Sequence, residues 1–359
     1  MTSIGFPKER KDGERRVVLD PGAVGAIVER GHQVRVEQGA GLGAGFADDQ
    51  YRTVGAQLVS TAEDAWDSDV VVKVKEPIFE EYRWFRPGLR LFCYLHLAAQ
   101  PDLIRALTAS KVDAFAFETL EEGGRLPLLS PMSEVAGRAA AIIGAYHLAS
   151  TDGGSGQLLG GAAGAHPARV AVIGLGVAGS AAARGARGLE AEVTGIDVSI
   201  ERLRHCHAEG VVTSTVASTP ATVGEVVQGA DLVIGAALVP GARAPIVVSK
   251  DAIASMAPGS VVIDLAIDQG GCIETARPTS HSDPTYIEHD VLHYCVTNVP
   301  GRYAQTASRA LSAVVGPKVA ALAEGRDHEL PGALNTASGD IVHAEVRQAM
   351  DVHNQQAPA

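Results

Sequence analysis

Apolar and polar positions in the first third of the chain follow two rhythms. The runs SIGF, QVRVE, AQLVS, VVVKVK, RLFCYLHLA and DAFAFE are short and β-rich, and they read as strands. Between them, Asp20 to Glu29 places Val24, Ile27 and Val28 at helical spacing and stops at Gly31, and Pro101 to Ser110 repeats the pattern. Strands that alternate with helices predict an α/β layout built on a largely parallel sheet.

A long helical pattern then runs from Pro131 to His147. The segment TDGGSGQLLGGAAGAHPA after it is so rich in Gly and Ala that it reads as a connection between modules. Strands return in RVAVIG, AEVTGID, ADLVIGAA, SVVIDLAID and HYCVTNV, and predict a second doubly wound unit. From Tyr303 to Glu324, Leu311, Val314, Val315, Val319 and Leu322 fall on one helical face, long enough to cross back to the first module. The expected organisation is therefore two doubly wound parallel-sheet domains. Residues 1–128 and 305–359 form one domain, discontinuous in sequence, and 129–304 a second of Rossmann type.

Length supports this division, because 359 residues exceed the size at which one core stops growing. A formal charge of −12 argues against a nucleic-acid partner, whose binding draws on Lys and Arg at phosphates. Cys93, Cys206, Cys272 and Cys295 show no C-x-x-C spacing, which fits reduced thiols better than a disulfide framework or a zinc site. The first residues turn charged without an apolar stretch, and no run approaches the roughly 20 apolar residues of a membrane helix. A cytoplasmic protein without membrane contact is expected.

The segment VAVIGLGVAGSAAARGA carries G-x-G-x-x-G at Gly174, Gly176 and Gly179, after a β-branched strand and at the start of an Ala-rich helix. That context predicts a tight turn, a close approach of the backbone to a pyrophosphate, and a helix N-terminus directed at the anion. Asp197 ends the next strand at the spacing where an acid receives ribose hydroxyls, and its charge would repel a 2′-phosphate. NAD is thus expected over NADP, with Arg202 and Arg204 nearby.

Candidate chemistry lies where strands end. Arg15 follows the first strand, and Lys75, His96 and Glu118 close VVVKVK, LFCYLH and AFAFE, at the edge where open α/β sheets bind ligands. Arg15 offers a fork for a carboxylate, Lys75 a charge to polarise a carbonyl, and His96 a proton donor or acceptor. In VVIDLAIDQGGC, Asp264 sits within the strand and is expected to bind neighbouring backbone, whereas Asp268 lies where the chain leaves the sheet. Gly270 and Gly271 would let it turn beside a flat nicotinamide ring.

The runs GFPKERKDGERRV, VKVKEP, YLHLA, LPLLSPMSEVAGR, GADLVIGAALVPGARAP and AIDQGGCIETARPTSHSDPTY closely resemble the alanine dehydrogenases, within the wider alanine dehydrogenase and transhydrogenase family. The resemblance implies that Arg15 and Lys75 bind the substrate carboxylate and carbonyl, with Glu118, Met132 and Asn298 beside them, and that His96 and Asp268 are the acid and base groups. It implies nucleotide contacts at Ser133, Val177, Ala178, Asp197, Arg202 and Ser218. Further along the chain it adds Ala237, Leu238, Leu265, Ala266, Ile267, Val296, Asn298 and Val299. The implied reaction is the reversible oxidative deamination of L-alanine to pyruvate and ammonia with NAD, in a homo-oligomer, commonly a hexamer.

One segment departs from the pattern. Where alanine dehydrogenases usually read N-M-P-G-A-V-P-R-T-S-T, this chain reads NVPGRYAQTAS, changing Val299, Arg302, Tyr303 and Gln305. The same chemistry on another small or polar amino acid therefore stays open, as does a non-deaminating NAD-binding subunit of transhydrogenase type.

Overall fold

The computed structural model of the chain describes residues 1–238 and 243–356, so positions 239–242 of the GADLVIGAALVPGARAP run lie outside the described residues. The chain divides into two compact units: residues 1–132 together with the chain from Tyr303 onward, and Ser133–Arg302.

In the first unit, strands β1 (Ser3–Phe6), β2 (Gln33–Glu37), β3 (Gln57–Val59), β4 (Val70–Val72), β5 (Arg90–Cys93) and β6 (Asp113–Ala116) pair in parallel in the order β3-β2-β1-β4-β5-β6. The second unit holds β7 (Arg169–Ile173), β8 (Glu192–Asp197), β9 (Ser214–Ala217), β10 (Leu232–Gly235), β11 (Val261–Asp264), β12 (Thr285–Glu288) and β13 (Val291–Tyr294). They are ordered β12-β13-β11-β10-β7-β8-β9, parallel throughout except for the β12–β13 hairpin. Late in the chain, β14 (Leu334–Ala337) and β15 (Asp340–Ile341) add an antiparallel edge beside β6. Counted over the parallel strands alone, from the first of each unit, both sheets run 3-2-1-4-5-6. Strand order reverses beside β1 in one unit and beside β7 in the other, and at such a reversal the loops leaving adjacent strands part and leave a crevice.

The core follows from sequence pattern. Central strands bury both faces under helices, so β4 and β10 are apolar without interruption. The helix Pro21–Glu29 has Asp20 as its N-cap, accepting from the Ala23 amide, with Pro in its first turn. The helix Ala304–Ala323 buries Leu311, Val315, Val319 and Leu322. It lies against the first unit through bonds from the Val17 and Asp20 amides to the Ser308 and Ser312 hydroxyls, both 3.0 Å.

Two expectations shift. The Gly- and Ala-rich segment after His147 is part of the second unit rather than a boundary. Leu148, Leu159 and Ala168 in and beside it are buried, and its backbone bonds inward from Ser155 to Gly259 and from Ala168 to Leu159. The run HYCVTNV is a strand only as far as Tyr294. Cys295 and Val296 stay buried but pair with Thr279 instead of extending the ladder beside β11.

Candidate active site

The predicted residues of the first unit gather on the loops that leave β1, β4, β5 and β6. Arg15 is exposed and forms no ion pair among the described residues. Its backbone is pressed against Gly43, where a Cβ would come within 2.6 Å of the Arg15 carbonyl. The neighbouring Arg16 is buried and committed, with Nη2 2.6 Å from Glu14 Oε2, Nε donating to Glu14 Oε1, and Nη1 3.1 Å from the sulfur of Met132. Met132 thus lies against a structural arginine at the end of the first unit.

Two lysines leave β4, and their surroundings separate them. Lys73 is fully buried, with its ammonium 2.8 Å from Glu81 Oε1 and 3.5 Å from Glu9 Oε2. Lys75, two residues on, is also buried, yet its ammonium has no ion pair within 4 Å among the described residues. Its charge still acts on the adjacent Glu76. Burial alone would raise that carboxyl, but Lys75 and Lys11 outweigh it and hold the group below the ordinary carboxylate range.

His96 follows β5 in the left-handed region (φ 47°), half-buried, its ring parallel to that of Tyr94 with centroids 6.0 Å apart. Tyr94 is pinned by its hydroxyl, which donates to the Leu128 carbonyl. Glu118, in the turn after β6, accepts from the amides of Leu95 (3.2 Å) and His96 (2.6 Å). Its carboxylate holds the backbone that carries the imidazole. The uncommon φ of His96 is held by that bond.

In the second unit, Gly174 (φ 88°) makes the turn after β7, and the helix Val177–Gly188 starts at Gly176 without a side-chain cap. A Cβ on Gly179 would lie 1.8 Å from the Gly174 carbonyl oxygen, and one on Gly174 would lie 2.9 Å from Ala236 and Ala237. At Gly176 a Cβ would meet nothing within 4 Å. Two of the glycines are required by packing, and the middle one leaves the open face beside uncapped helix amides that a pyrophosphate needs. Asp197, at the end of β8, is buried, with Oδ2 accepting from Leu175 (2.7 Å) and Oδ1 from Ser199 (2.8 Å). It therefore ties the glycine loop to its own strand end while retaining lone pairs for hydroxyl donors. Arg202 is exposed, 3.9 Å from that carboxylate, and Ser218 donates its amide to the Asp197 carbonyl. These features fit a dinucleotide.

The remaining predicted contacts leave β10, β11 and β13, or stand on exposed starts of helices. Ser133 is half-buried in the first turns of the helix Ser130–His147, while Val177 is exposed and Ala178 half-buried. Ala237 and the exposed Leu238 follow β10. After β11 come the half-buried Leu265 and the buried Ala266, and then a single 3-10 turn, Ile267–Gln269, with Ile267 buried and Asp268 exposed. Asp264 stays in the strand, where its carboxylate accepts from Ala266 (2.8 Å), Cys272 (2.8 Å) and Ile273 (3.1 Å). Burial raises its pKa against the pull of those amides. Gly270 and Gly271 turn at φ 97° and 76°, bringing Cys272 back to Asp264. Asp268 Oδ2 lies 3.3 Å from the amide of Asn298, itself left-handed (φ 63°), in the loop after β13 between the buried Val296 and Val299.

The structure adds groups that the pattern of the chain did not single out: Glu9, Lys73 and Glu81, and the Glu14–Arg16 pair. Lys73 and Lys75 share one strand face at period two, so spacing could not tell the paired lysine from the unpaired one. All four cysteines are buried and free. Among the described residues, no helix is long and apolar enough to cross a membrane.

The chain matches known proteins along almost its full length. Residues 5–136 match the family model described as alanine dehydrogenase/PNT, N-terminal domain, and residues 140–344 match its C-terminal counterpart. The alanine dehydrogenase of Bacillus subtilis is 46% identical over 99% of this chain and 96% of its own length. A solved L-alanine dehydrogenase superposes with a TM-score of 0.92 at 44% identity, covering 98% of this chain and 99% of its own. A transhydrogenase from Sinorhizobium meliloti does so with 0.83 at 29% identity, over 95% and 99%. With both family models matched in order and nearly half its residues shared over almost its full length, the chain belongs to the alanine dehydrogenase/PNT family.

Proposed function

We propose that this chain catalyses the reversible, NAD-dependent oxidative deamination of L-alanine to pyruvate and ammonia. The observation that carries the reading is Lys75: a largely buried side chain whose ammonium has no ion pair among the described residues, at the edge where the strand order reverses, beside a lysine that is fully paired. A cation left without a protein partner at the edge where open α/β sheets bind ligands is placed to receive a substrate carboxylate or to polarise a carbonyl. The identity to alanine dehydrogenases along the whole chain supports the same choice.

Arg15 takes the substrate carboxylate with its planar fork, and Lys75 polarises the carbonyl. In the aminating direction His96 supplies a proton to the carbonyl oxygen as it leaves as water, and Asp268 accepts a proton from the incoming amine. Glu118 keeps the imidazole in place through the His96 amide. Bound NAD would supply the hydride acceptor or donor for the substrate Cα. Gly174, Gly176, Val177, Ala178 and Gly179 would hold its pyrophosphate and Asp197 its ribose. The negative charge of Asp197 disfavours a 2′-phosphate, hence NAD over NADP.

A second reading keeps the chemistry and changes the amino acid. It is favoured by the segment after β13, where Val299 is buried and Arg302 exposed. A panel of 2-oxo acids with ammonia, followed through NADH and then NADPH absorbance, tests both. Pyruvate with NADH is expected to rank first. A different oxo acid ranking far above it would move the assignment, and NADH binding without any turnover would point to a non-deaminating nucleotide-binding subunit. Lys75→Ala and Asp268→Ala are each expected to lower kcat by about a hundred- to ten-thousandfold. A normal kcat in either variant removes the role given to that residue.

A further inference from the structure

Val74 lies in the segment that carries Lys75, just past the end of β4. Its carbonyl accepts from Tyr94 on the β5 side. On the other side β1 ends at Phe6 and no longer offers a strand, because the two chains part where the sheet order reverses. A buried amide left unpaired there would be costly. Glu9, on the loop leaving β1, fills the place of the missing strand: Oε1 accepts from Val74 (2.6 Å), and Oε2 lies 3.4 Å from the Lys75 amide. The Glu9 carboxylate is itself buried, with Lys73 3.5 Å away. Lys73 also binds Glu81, whose second oxygen accepts from the Ile78 amide (2.9 Å). Residues 73–78 are thus held at both ends by two carboxylates bridged by one lysine.

We propose that Glu9 is a positioning residue of the active site: by accepting the backbone of Val74 and Lys75 it fixes the point from which the Lys75 ammonium reaches substrate, and so governs binding of the 2-oxo acid. The inference rests on the assignment of Lys75 made above. Four charged groups surround Glu9: Lys73 just beyond β4, Glu14 and Arg16 on its own loop, and Glu81 in the turn Phe79–Trp84. Burial raises the Glu9 carboxyl to about 7, against the pull of Lys73. A protonated carboxyl can no longer accept at both oxygens, so the hold on the Lys75 amide weakens as pH falls through neutrality.

The test compares full-length wild type, Glu9→Gln and Glu9→Ala by amide hydrogen exchange, by steady-state kinetics with pyruvate, and by NADH binding. In Glu9→Ala, exchange at Val74 and Lys75 should rise while Val71 in β4 stays protected. KM for pyruvate should increase about tenfold or more, with Kd for NADH within about twofold of wild type. Glu9→Gln keeps one acceptor and should fall between. It should also lack the rise in KM that wild type shows as pH drops through about 7. Unchanged exchange and KM in a folded variant would overturn the inference, as would KM and NADH affinity worsening together. If Glu9→Ala does not fold, Glu9→Gln decides. If wild type turns over no amino acid, the assigned reaction fails, whereas exchange at Val74 and Lys75 still tests the Glu9 contact by itself.

Discussion

Gly176 and Gly179 stand three residues apart in one turn and answer to different demands. Gly179 is required by the fold, since a Cβ there would fall 1.8 Å from the Gly174 carbonyl oxygen, a distance no neighbour can accommodate without moving the helix. Gly176 borders open space and is required only if a ligand comes close. The two substitutions should therefore separate. Gly179→Ala should cost several kcal/mol, at the upper end of the range for point substitutions. Gly176→Ala should unfold within about 1 kcal/mol of wild type and weaken NADH binding by about tenfold or more. Thermal unfolding and fluorescence titration read the two effects, and an unaltered NADH affinity in Gly176→Ala would detach the pyrophosphate from this turn. A similar contrast holds for the lysines leaving β4. Residue type and spacing are the same, and only the neighbouring carboxylates pair one and leave the other without an ion pair among the described residues.

Among the elements, the recurring device is a carboxylate that accepts backbone amides where a strand ends. Glu9 serves the exit of β4, Glu118 that of β5, Asp197 that of β7, and Asp264 the loop after β11. Each secures a loop that carries a candidate site group, at the sheet edge where ladder partners run out. Removing one leaves buried donors unpaired, each worth about 1–3 kcal/mol. Asp264→Ala frees three at once, from Ala266, Cys272 and Ile273, and should destabilise the protein by roughly 3–5 kcal/mol and lower turnover through displacement of Asp268. Chemical denaturation with parallel kinetics checks this, and a variant of wild-type stability would show that the loop does not depend on those bonds. Most strands and helices were legible from apolar periodicity, β1, β2 and the helix Pro21–Glu29 to within a residue. The antiparallel strand β14, between β6 and β15, was not, because its buried residues are polar. Asn335 and Thr336 are fully buried, bonding to Thr119 and to the Val112 carbonyl, so the run LNTA carries no apolar signal. The end of β13 was missed for the opposite reason, since the apolar run continues after its ladder partner β11 stops.

For the whole molecule, the first unit depends on both ends of the chain. The helix Ala304–Ala323 covers it with Leu311, Val315 and Val319. Thr2 donates to the Ala323 carbonyl, Arg90 donates to Leu322, and β14 completes the sheet beside β6. A chain cut after Arg302 would leave that apolar face open to water and β6 without its antiparallel neighbour. Such a truncation should lose the unfolding transition of the first unit in calorimetry while the second unit, continuous in sequence, keeps its own and still binds NADH. Two surviving transitions would show that the first unit folds without its C-terminal part.

The amino-acid sequence alone determined the alternation of strands and helices, the glycine turn with its acid at the end of the next strand, and the charged residues at strand ends. All of these are local: periodicity, turn chemistry and spacing act within about twenty residues. Tertiary structure decided which of two like lysines is neutralised and what Glu118 and Asp197 hold, and it placed Glu9 beside Val74 although some 65 positions separate them. Those outcomes follow from which strands lie side by side. At the point where strand order reverses, the ladder ends, and the amides and charges left there must find partners from distant parts of the chain.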